Sequence, residues 1–337
     1  MTTVPGVIAG SEPLPLLLTA EDPTLDLASW AADHRDALRT LLSRHGALLL
    51  RGFRAGGPAG FSRFAGTMCD SLFEGNGEHP AAPERGGLYV PVFYAPEQKL
   101  LWHNENSFNR EWPARILFYA KDPARIGGST PLVDGRRVLA ALAPDVREKF
   151  TETGVRYVRN YGASLGLSWE TVYGTADRAT LERRCRAEGI DVAWRGDDLT
   201  TACVRPAVVC HPETGEAAWF AQIAHWHPAF LDPEVHAGLR SLVERDDDLP
   251  RTCSFGDGSP IGPEIVAHFR EVHERLEVAV PWERDDVLVV DNVLVEHARE
   301  PFGGPRDHRV ALGDLYRFGD GLRPSVACPS ERRAADT

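Results

Sequence analysis

The chain has 337 residues, of which 43% are hydrophobic and 26% are charged, and its formal net charge is −12. This length and apolar content suffice for a large buried core, and we predict one elaborated domain over residues 1–337. The negative charge argues against binding to nucleic acid or to an anionic membrane surface, since both attract basic proteins. The first residues contain only a short apolar run without a basic leader, which predicts neither a signal peptide nor a membrane span.

The six cysteines, at positions 69, 185, 203, 210, 253 and 328, show no CxxC spacing. Without a secretory context, such cysteines are expected to be reduced thiols. We therefore predict a cytoplasmic protein.

Several segments of the chain predict its organisation. Apolar residues at helical spacing cover residues 25–44, and GALLLRGF after them predicts a first core strand. Residues 75–87, rich in Gly, Pro and charge, predict a loop that is either a solvent loop or a lid over a pocket. Residues 171–198 predict a helical insert, and residues 323–337 predict a flexible tail.

The segment LLWHNENSF contains a His-x-Glu pair, His103 and Glu105. Residues two apart on a strand project to the same face, so one short segment could supply two metal ligands. Alone this pair is a weak signal, because short motifs of this kind occur by chance.

The neighbours of the pair are candidates for contact with a substrate. Trp102, Asn106, Ser107 and Phe108 flank it, and Arg159 in YVRNYG could pair with a substrate carboxylate. The alternative interpretations are core filling and loop polarity for the first four and a solvated or ion-paired group for the arginine.

The stretch RIGGST places Thr130 27 residues after His103. Its glycines permit a tight turn, and the threonine hydroxyl can donate a hydrogen bond to an anion. An ordinary turn is the alternative.

A second histidine group, His225 and His227 in IAHWHPAF, has strand spacing and could join His211 upstream in a metal site. No arginine and threonine are arranged around it as they are around the first pair. Packing, or a place on the wall of a substrate pocket, are the competing interpretations.

The run VLVVDNVLVEH predicts a buried strand that delivers His297 to its far end, beside the strand of His103. Two imidazoles and one carboxylate are the ligand set that holds ferrous iron and leaves positions open. Arg309, 12 residues after His297 in a strand-like segment, could clamp a carboxylate with its guanidinium. Arg306 is the alternative arginine.

Three blocks of the sequence together resemble one family almost end to end. They are GALLLRGF, LLWHNENSFNREWPARILFYAKDPARIGGSTPLVDGRRV and VLVVDNVLVEHAREPFGGPRDHRVALGD. The chain resembles the taurine dioxygenase-like (TauD/TfdA) family of iron(II)/2-oxoglutarate-dependent oxygenases, within the clavaminate synthase-like group.

The resemblance implies a fold and a site. It implies an α+β, mainly β structure with a double-stranded β-helix (jelly roll, cupin-like) core, flanking helices and inserts. It further implies that His103, Glu105 and His297 ligate Fe(II), and that Thr130 and Arg309 hold the carboxylates of 2-oxoglutarate, with O2 as the other co-substrate.

Within the family the chain most resembles hydroxylases of amino acids, free or carried as thioesters, in bacterial natural-product pathways such as antibiotic biosynthesis. The implied partners are an amino-acid-like small molecule and, in the thioester case, a carrier protein. Ala221 stands where the family pattern has an asparagine, which puts an inherited substrate contact in doubt.

Other outcomes of the chemistry stay open at this stage. Glu105 argues against halogenation, which needs the vacancy left when this carboxylate is replaced. Hydroxylation is the expected reaction, with desaturation or cyclisation as alternatives. A zinc hydrolase and a non-catalytic binding barrel are the remaining hypotheses.

Overall fold

The computed structural model describes residues 4–11, 14–73, 81–84, 86–161, 168–243 and 245–318. Most of the predicted loop 75–87 and all of the predicted tail 323–337 lie outside these ranges. Within them, every helix is too short or too polar to cross a membrane. The architecture is mixed, with helices packed around several β-sheets.

The strands of the described ranges are β1 (Val7–Ala9), β2 (Leu16–Ala20), β3 (Ala47–Arg51), β4 (Leu88–Tyr89), β5 (Leu100–His103), β6 (Glu111–Asp122), β7 (Ile126–Gly127), β8 (Leu132–Asp134), β9 (Val155–Tyr161), β10 (Asp191–Arg195), β11 (Asp198–Arg205), β12 (Val208–Cys210), β13 (Ala217–Trp219), β14 (Arg251–Phe255), β15 (Val287–Asp291), β16 (Val295–Arg299), β17 (Phe302–Gly303) and β18 (Asp307–Arg317).

The helices of the same ranges are α1 (Leu27–Asp33), α2 (Arg35–His45), α3 (Gly57–Met68), α4 (Gly135–Ala141), α5 (Pro144–Thr153), α6 (Trp169–Tyr173), α7 (Arg178–Ala187), α8 (Ile223–Trp226), α9 (Pro233–Arg240) and α10 (Pro263–Leu276), with 3-10 turns at Pro228–Phe230 and Asp246–Asp248.

The largest sheet has the strand order β1-β2-β3-β15-β6-β18-β4. Its central strand β15 is buried at every residue because both of its faces are covered. Val287 and Val289 pack with the helix residues Leu38 and Phe61 on one face. Leu288 belongs to the core on the other face, next to Ile116 of β6. This second face borders a pocket, which Ile116 lines.

A small sheet of order β5-β16-β8 carries the residues of the predicted metal site. Strands β16 and β5 are antiparallel, and His297 lies directly opposite His103. The prediction that the two histidine-bearing strands lie side by side is confirmed.

The predicted single strand VLVVDNVLVEH is two strands that belong to different sheets. The chain turns after β15 because the Asp291 carboxylate accepts hydrogen bonds from the backbone N–H groups of Val293 (3.0 Å) and Leu294 (3.2 Å). Such a local turn is typical of aspartate. It moves β16 out of the large sheet and next to β5.

The predicted helical segments are largely helical in the structure. Residues 25–44 contain α1 and α2, which are separated at His34. The predicted insert 171–198 contains α7 and part of α6, but its last part is β10, which pairs with β11 in a separate sheet. The insert is therefore helical only in its first part.

The cysteines differ from the expectation at one position. Cys69, Cys185, Cys203 and Cys253 are free thiols. Cys210 is disulfide-bonded. The expectation that all six thiols are reduced is wrong at this cysteine.

Candidate active site

The donor atoms of His103, Glu105 and His297 all lie within 4.8 Å of one another, a group that could hold a metal ion. Glu105 and His297 are 7% and 6% exposed. β5 ends at His103, and Glu105 follows in a turn. The turn therefore brings the Glu105 carboxylate to the site. Strand spacing, which the sequence predicted, does not align the side chains of His103 and Glu105.

The ring of His103 is oriented by the backbone. Its Nδ1 lies 2.9 Å from the carbonyl oxygen of Leu101, which can only accept a hydrogen bond. This contact places the ring proton on Nδ1 and leaves the Nε2 lone pair for a metal. Burial, with the neighbouring His297 and His225, lowers the pKa of His103 well below its usual value. A neutral imidazole is the form that binds metals.

Asn292 fixes the turn that carries Glu105. Its side-chain oxygen accepts from the Glu105 N–H at 2.7 Å, and its amide nitrogen donates to the carbonyls of Glu105 (3.0 Å) and Pro113 (2.8 Å). The Asn104 amide donates in turn to the Asn292 carbonyl at 2.8 Å. Both asparagines are fully buried. One side chain thus ties the chain after β15 to the third donor group.

The pocket in front of the three donor groups has a volume of about 500 Å³. Its walls include Phe108, Phe118, Gln222 and Val310. The Gln222 amide donates to the Asn104 carbonyl, so it also supports the metal-site turn. A pocket of this size suits a small molecule.

One end of the pocket is cationic. Arg299 and Arg306 both line it, and burial together with Arg299 lowers the pKa of Arg306 to about 10. In the described part of the chain, Arg306 has no hydrogen-bond or ion-pair partner, and its Nε is buried. A buried guanidinium of this kind is stabilised by an anion.

Thr130 and His308 lie at this same end. Trp282 links them, because its Nε1 donates to the Thr130 hydroxyl at 3.2 Å and its ring lies 5.1 Å from the His308 ring. His308 is 2% exposed, and neither of its ring nitrogens has a hydrogen-bond partner among the described residues. Burial, with Arg306 and Arg309 nearby, lowers the pKa of His308 well below its usual value, which keeps the ring neutral.

Arg309, the predicted clamp, does not line the pocket. Its guanidinium forms a two-bond ion pair with Glu84, at 2.8 and 2.7 Å, and a further pair with Asp307. The side chain shares the strand face of Ala311, which packs towards the helices. The structure therefore places Arg306, the alternative arginine, in the pocket wall and Arg309 outside it.

Of the five candidate substrate contacts, only Phe108 lines the pocket. Trp102 points the other way and donates to Glu277 at 2.8 Å. Asn106 and Ser107 are buried in the turn beside the metal-site residues. Arg159 lies on β9 with its guanidinium over the Tyr161 ring. These four residues do not line this pocket.

Among the described residues, the second histidine group is not a set that could hold a metal ion. His211 pairs with Asp291 at 2.9 Å. His225 lies on the short helix α8, so the expected strand spacing is wrong. Its ring lies 4.6 Å from the ring of His103, and it lines the pocket. The pocket-wall interpretation is confirmed for His225.

The family model of the taurine catabolism dioxygenase TauD, TfdA family matches residues 10–312, and the chain belongs to this family. The dapdiamide synthesis protein DdaC of Enterobacter agglomerans is 33% identical over 300 residues, which cover 88% of this chain and 90% of that protein. A clavaminate synthase-like protein of Arabidopsis thaliana is 28% identical over 281 residues, 80% of this chain and 82% of that one.

Solved structures share the fold. PvcB of Pseudomonas aeruginosa superposes with a TM-score of 0.56 at 16% identity, over 96% of each chain. Another structure of PvcB describes it as an Fe, alpha-ketoglutarate dependent oxygenase from an isonitrile synthetic pathway. The chain is an iron(II)- and 2-oxoglutarate-dependent oxygenase, an oxidoreductase that uses dioxygen.

Asn292→Ala is expected to lower both stability and iron affinity. The change leaves three buried backbone groups of Glu105 and Pro113 without partners, at about 1–3 kcal/mol for each such group. We expect a loss of about 3 kcal/mol in the free energy of unfolding, measured by urea titration, and iron binding at least about tenfold weaker.

Asn160→Ala is the matched control for Asn292→Ala. Asn160 also bridges backbone carbonyls, those of Asp247 and Leu249, but lies off the metal site. It should lose stability and keep its iron affinity. Equal iron affinity in Asn292→Ala and the parent would contradict the role given to Asn292.

Proposed function

We propose that this oxygenase hydroxylates an unactivated carbon of an amino-acid-like substrate in bacterial secondary metabolism, for example in antibiotic biosynthesis. The observation that carries the proposal is the pocket itself, with three metal-donor groups beside a cationic end that fits a dicarboxylate. The names of the similar proteins, which concern dapdiamide synthesis and an isonitrile pathway, support the substrate class.

In this proposal His103, Glu105 and His297 are the iron ligands. The donor set fits ferrous iron because two imidazoles and one carboxylate leave coordination positions for other groups. When bound, iron and 2-oxoglutarate supply the oxidation of a substrate C–H bond by dioxygen, with release of succinate and CO2. Glu105 completes the ligand set, which favours hydroxylation over halogenation. Desaturation or cyclisation are alternative outcomes of the same chemistry.

The co-substrate 2-oxoglutarate is held, in our proposal, by Arg306, Thr130 and His308. The guanidinium of Arg306 binds a carboxylate of the dianion. The Thr130 hydroxyl accepts from Trp282 and keeps its own proton to donate. The neutral ring of His308 has one N–H to donate at the same end of the pocket. The carboxylate thus provides a partner for the polar groups of Arg306, Thr130 and His308, which have little access to water.

The two main sheets form, in the same proposal, the double-stranded β-helix of the family, within one domain over residues 1–337. The cytoplasm is the proposed location, where free thiols such as Cys69 and Cys253 persist. A small molecule is the proposed partner, presented free or by a carrier protein.

Anaerobic titration of iron(II) and 2-oxoglutarate into metal-free protein tests the proposal. The parent should develop the weak visible charge-transfer band of the chelate, and His103→Ala should not, because it lacks an iron ligand. Removal of iron by a chelator should abolish succinate formation. Zinc binding without a band, together with hydrolysis of a substrate, would support the zinc hydrolase instead. A binding barrel would give no turnover with any co-substrate.

Substitutions of Arg306 and Arg309 should have different effects in the same titration. Arg306→Ala should raise the Kd of 2-oxoglutarate by roughly tenfold to hundredfold, because a charge-assisted contact is lost. Arg309→Ala should leave this Kd unchanged and lower the Tm, because it breaks the pairs with Glu84 and Asp307. The opposite pattern would restore Arg309 as the clamp.

His308→Phe keeps the ring volume and removes both nitrogens. We expect the Kd of 2-oxoglutarate to rise about fivefold, the equivalent of one neutral hydrogen bond. Iron affinity without 2-oxoglutarate should stay at the parent value. An unchanged Kd would remove His308 from the co-substrate site.

A further inference from the structure

A second cavity, of about 570 Å³, adjoins the metal pocket. The two share Tyr94, His225 and Arg251 in their walls. His225 is fixed at this boundary, because its Nε2 lies 2.8 Å from the carbonyl oxygen of Leu101. A hydrogen bond therefore holds the wall between the two cavities in place, next to His103.

The size of the second cavity bears on the substrate. The metal pocket, at about 500 Å³, has to hold 2-oxoglutarate and the carbon that is oxidised. A free amino acid could be accommodated beside the co-substrate within that pocket alone, since pockets of about 300–1,000 Å³ enclose drug-sized ligands. A further cavity of about 570 Å³ gives room for a substituent that extends from the oxidised residue.

The walls of the second cavity are largely apolar and aromatic. Trp226, Phe230 and Leu239 line it. Two of its charged residues are engaged elsewhere: Lys99 pairs with Glu277 at 2.8 Å, and the Asp232 carboxylate caps α9. These walls fit an acyl chain or a peptide side chain better than a second charged group.

The boundary itself carries positive charge. Arg251 lies there with its guanidinium 5.5 Å from the centre of the Trp226 ring. Its neighbour across the sheet is Arg159, which lies directly opposite it in the antiparallel pair β14·β9. In the ranges that the structure describes, Arg159 has no carboxylate within ion-pair distance. Arg251 lines both cavities, where its guanidinium can bind a carboxylate through two N–H groups.

We infer that the substrate is an N-acylated amino acid or the carboxy-terminal residue of a short peptide. Its free α-carboxylate binds Arg251, with Arg159 adding to the positive field, its side chain extends to the metal pocket, and its acyl group occupies the second cavity. This inference rests on the proposed function. It also excludes a substrate tethered to a carrier through its carboxyl group, because a thioester carries no carboxylate for Arg251.

The test uses the proteinogenic amino acids in three forms: free, as alanyl dipeptides with a free carboxylate, and as the same dipeptides with a carboxy-terminal amide. Succinate release is measured with the iron-loaded parent enzyme. For the residue that responds, the dipeptide acid should have the highest kcat/KM. The amide should raise KM by roughly tenfold, because a charge-assisted contact is lost.

Arg251→Gln should raise KM for the dipeptide acid by a similar factor and leave KM for the amide nearly unchanged. Arg251→Lys, which keeps the charge, should recover part of the loss. Arg270→Gln is the matched control, since Arg270 also stacks on an aromatic ring, that of Phe230, but lines neither cavity. It should behave like the parent with every form.

Equal KM values for acid and amide would overturn the inference, as would a response to free amino acids alone or to none of the three forms. These outcomes are distinguishable from failure of the proposed function. If the proposed function were wrong, the parent would also lack the charge-transfer band with iron(II) and 2-oxoglutarate, which is recorded before any substrate is added.

Discussion

The antiparallel pairing of β5 and β16 is the constraint on which the site depends. It sets His103 opposite His297, so that two donor groups from residues far apart in the chain meet. The third donor, Glu105, lies beyond the end of β5 and depends on Asn292 instead. Asn292 belongs to the turn that moves the chain from β15 to β16. The same turn therefore moves β16 next to β5 and holds the backbone of the residue that carries the carboxylate.

Charged side chains of both signs line the pocket. Glu105 provides negative charge where a cation fits, and Arg306, with Arg299 nearby, provides positive charge beside His308. Both arginines are partly removed from water, which lowers their pKa values and strengthens their attraction to an anion. A molecule with two carboxylates satisfies this arrangement, because one can approach the metal while the other neutralises the guanidinium.

The three residues whose donor atoms meet in the structure were predictable from sequence, whereas the arginine that lines the pocket was not. His103, Glu105 and His297 stand in distinctive blocks. β18, by contrast, reads as apolar on both faces, so its pattern does not show which side chains face the pocket. Alternation along β18 places His308 with Val310 on the face that lines the pocket and Arg309 with Ala311 on the opposite face, towards Glu84. The hydrogen bonds of Asn292 join residues far apart in the chain, so the sequence around Asn292 did not predict them either.

One backbone carbonyl joins the metal site to the boundary of the second cavity. The oxygen of Leu101 accepts from both His103, at 2.9 Å, and His225, at 2.8 Å, and a carbonyl has two lone pairs to do so. The ring of His103, a potential metal donor, and the ring of His225, which lines both cavities, are thus oriented by the same atom. Displacement of α8, which carries His225, would disturb the geometry of His103. A change in the wall between the two cavities would consequently also change the orientation of this donor group.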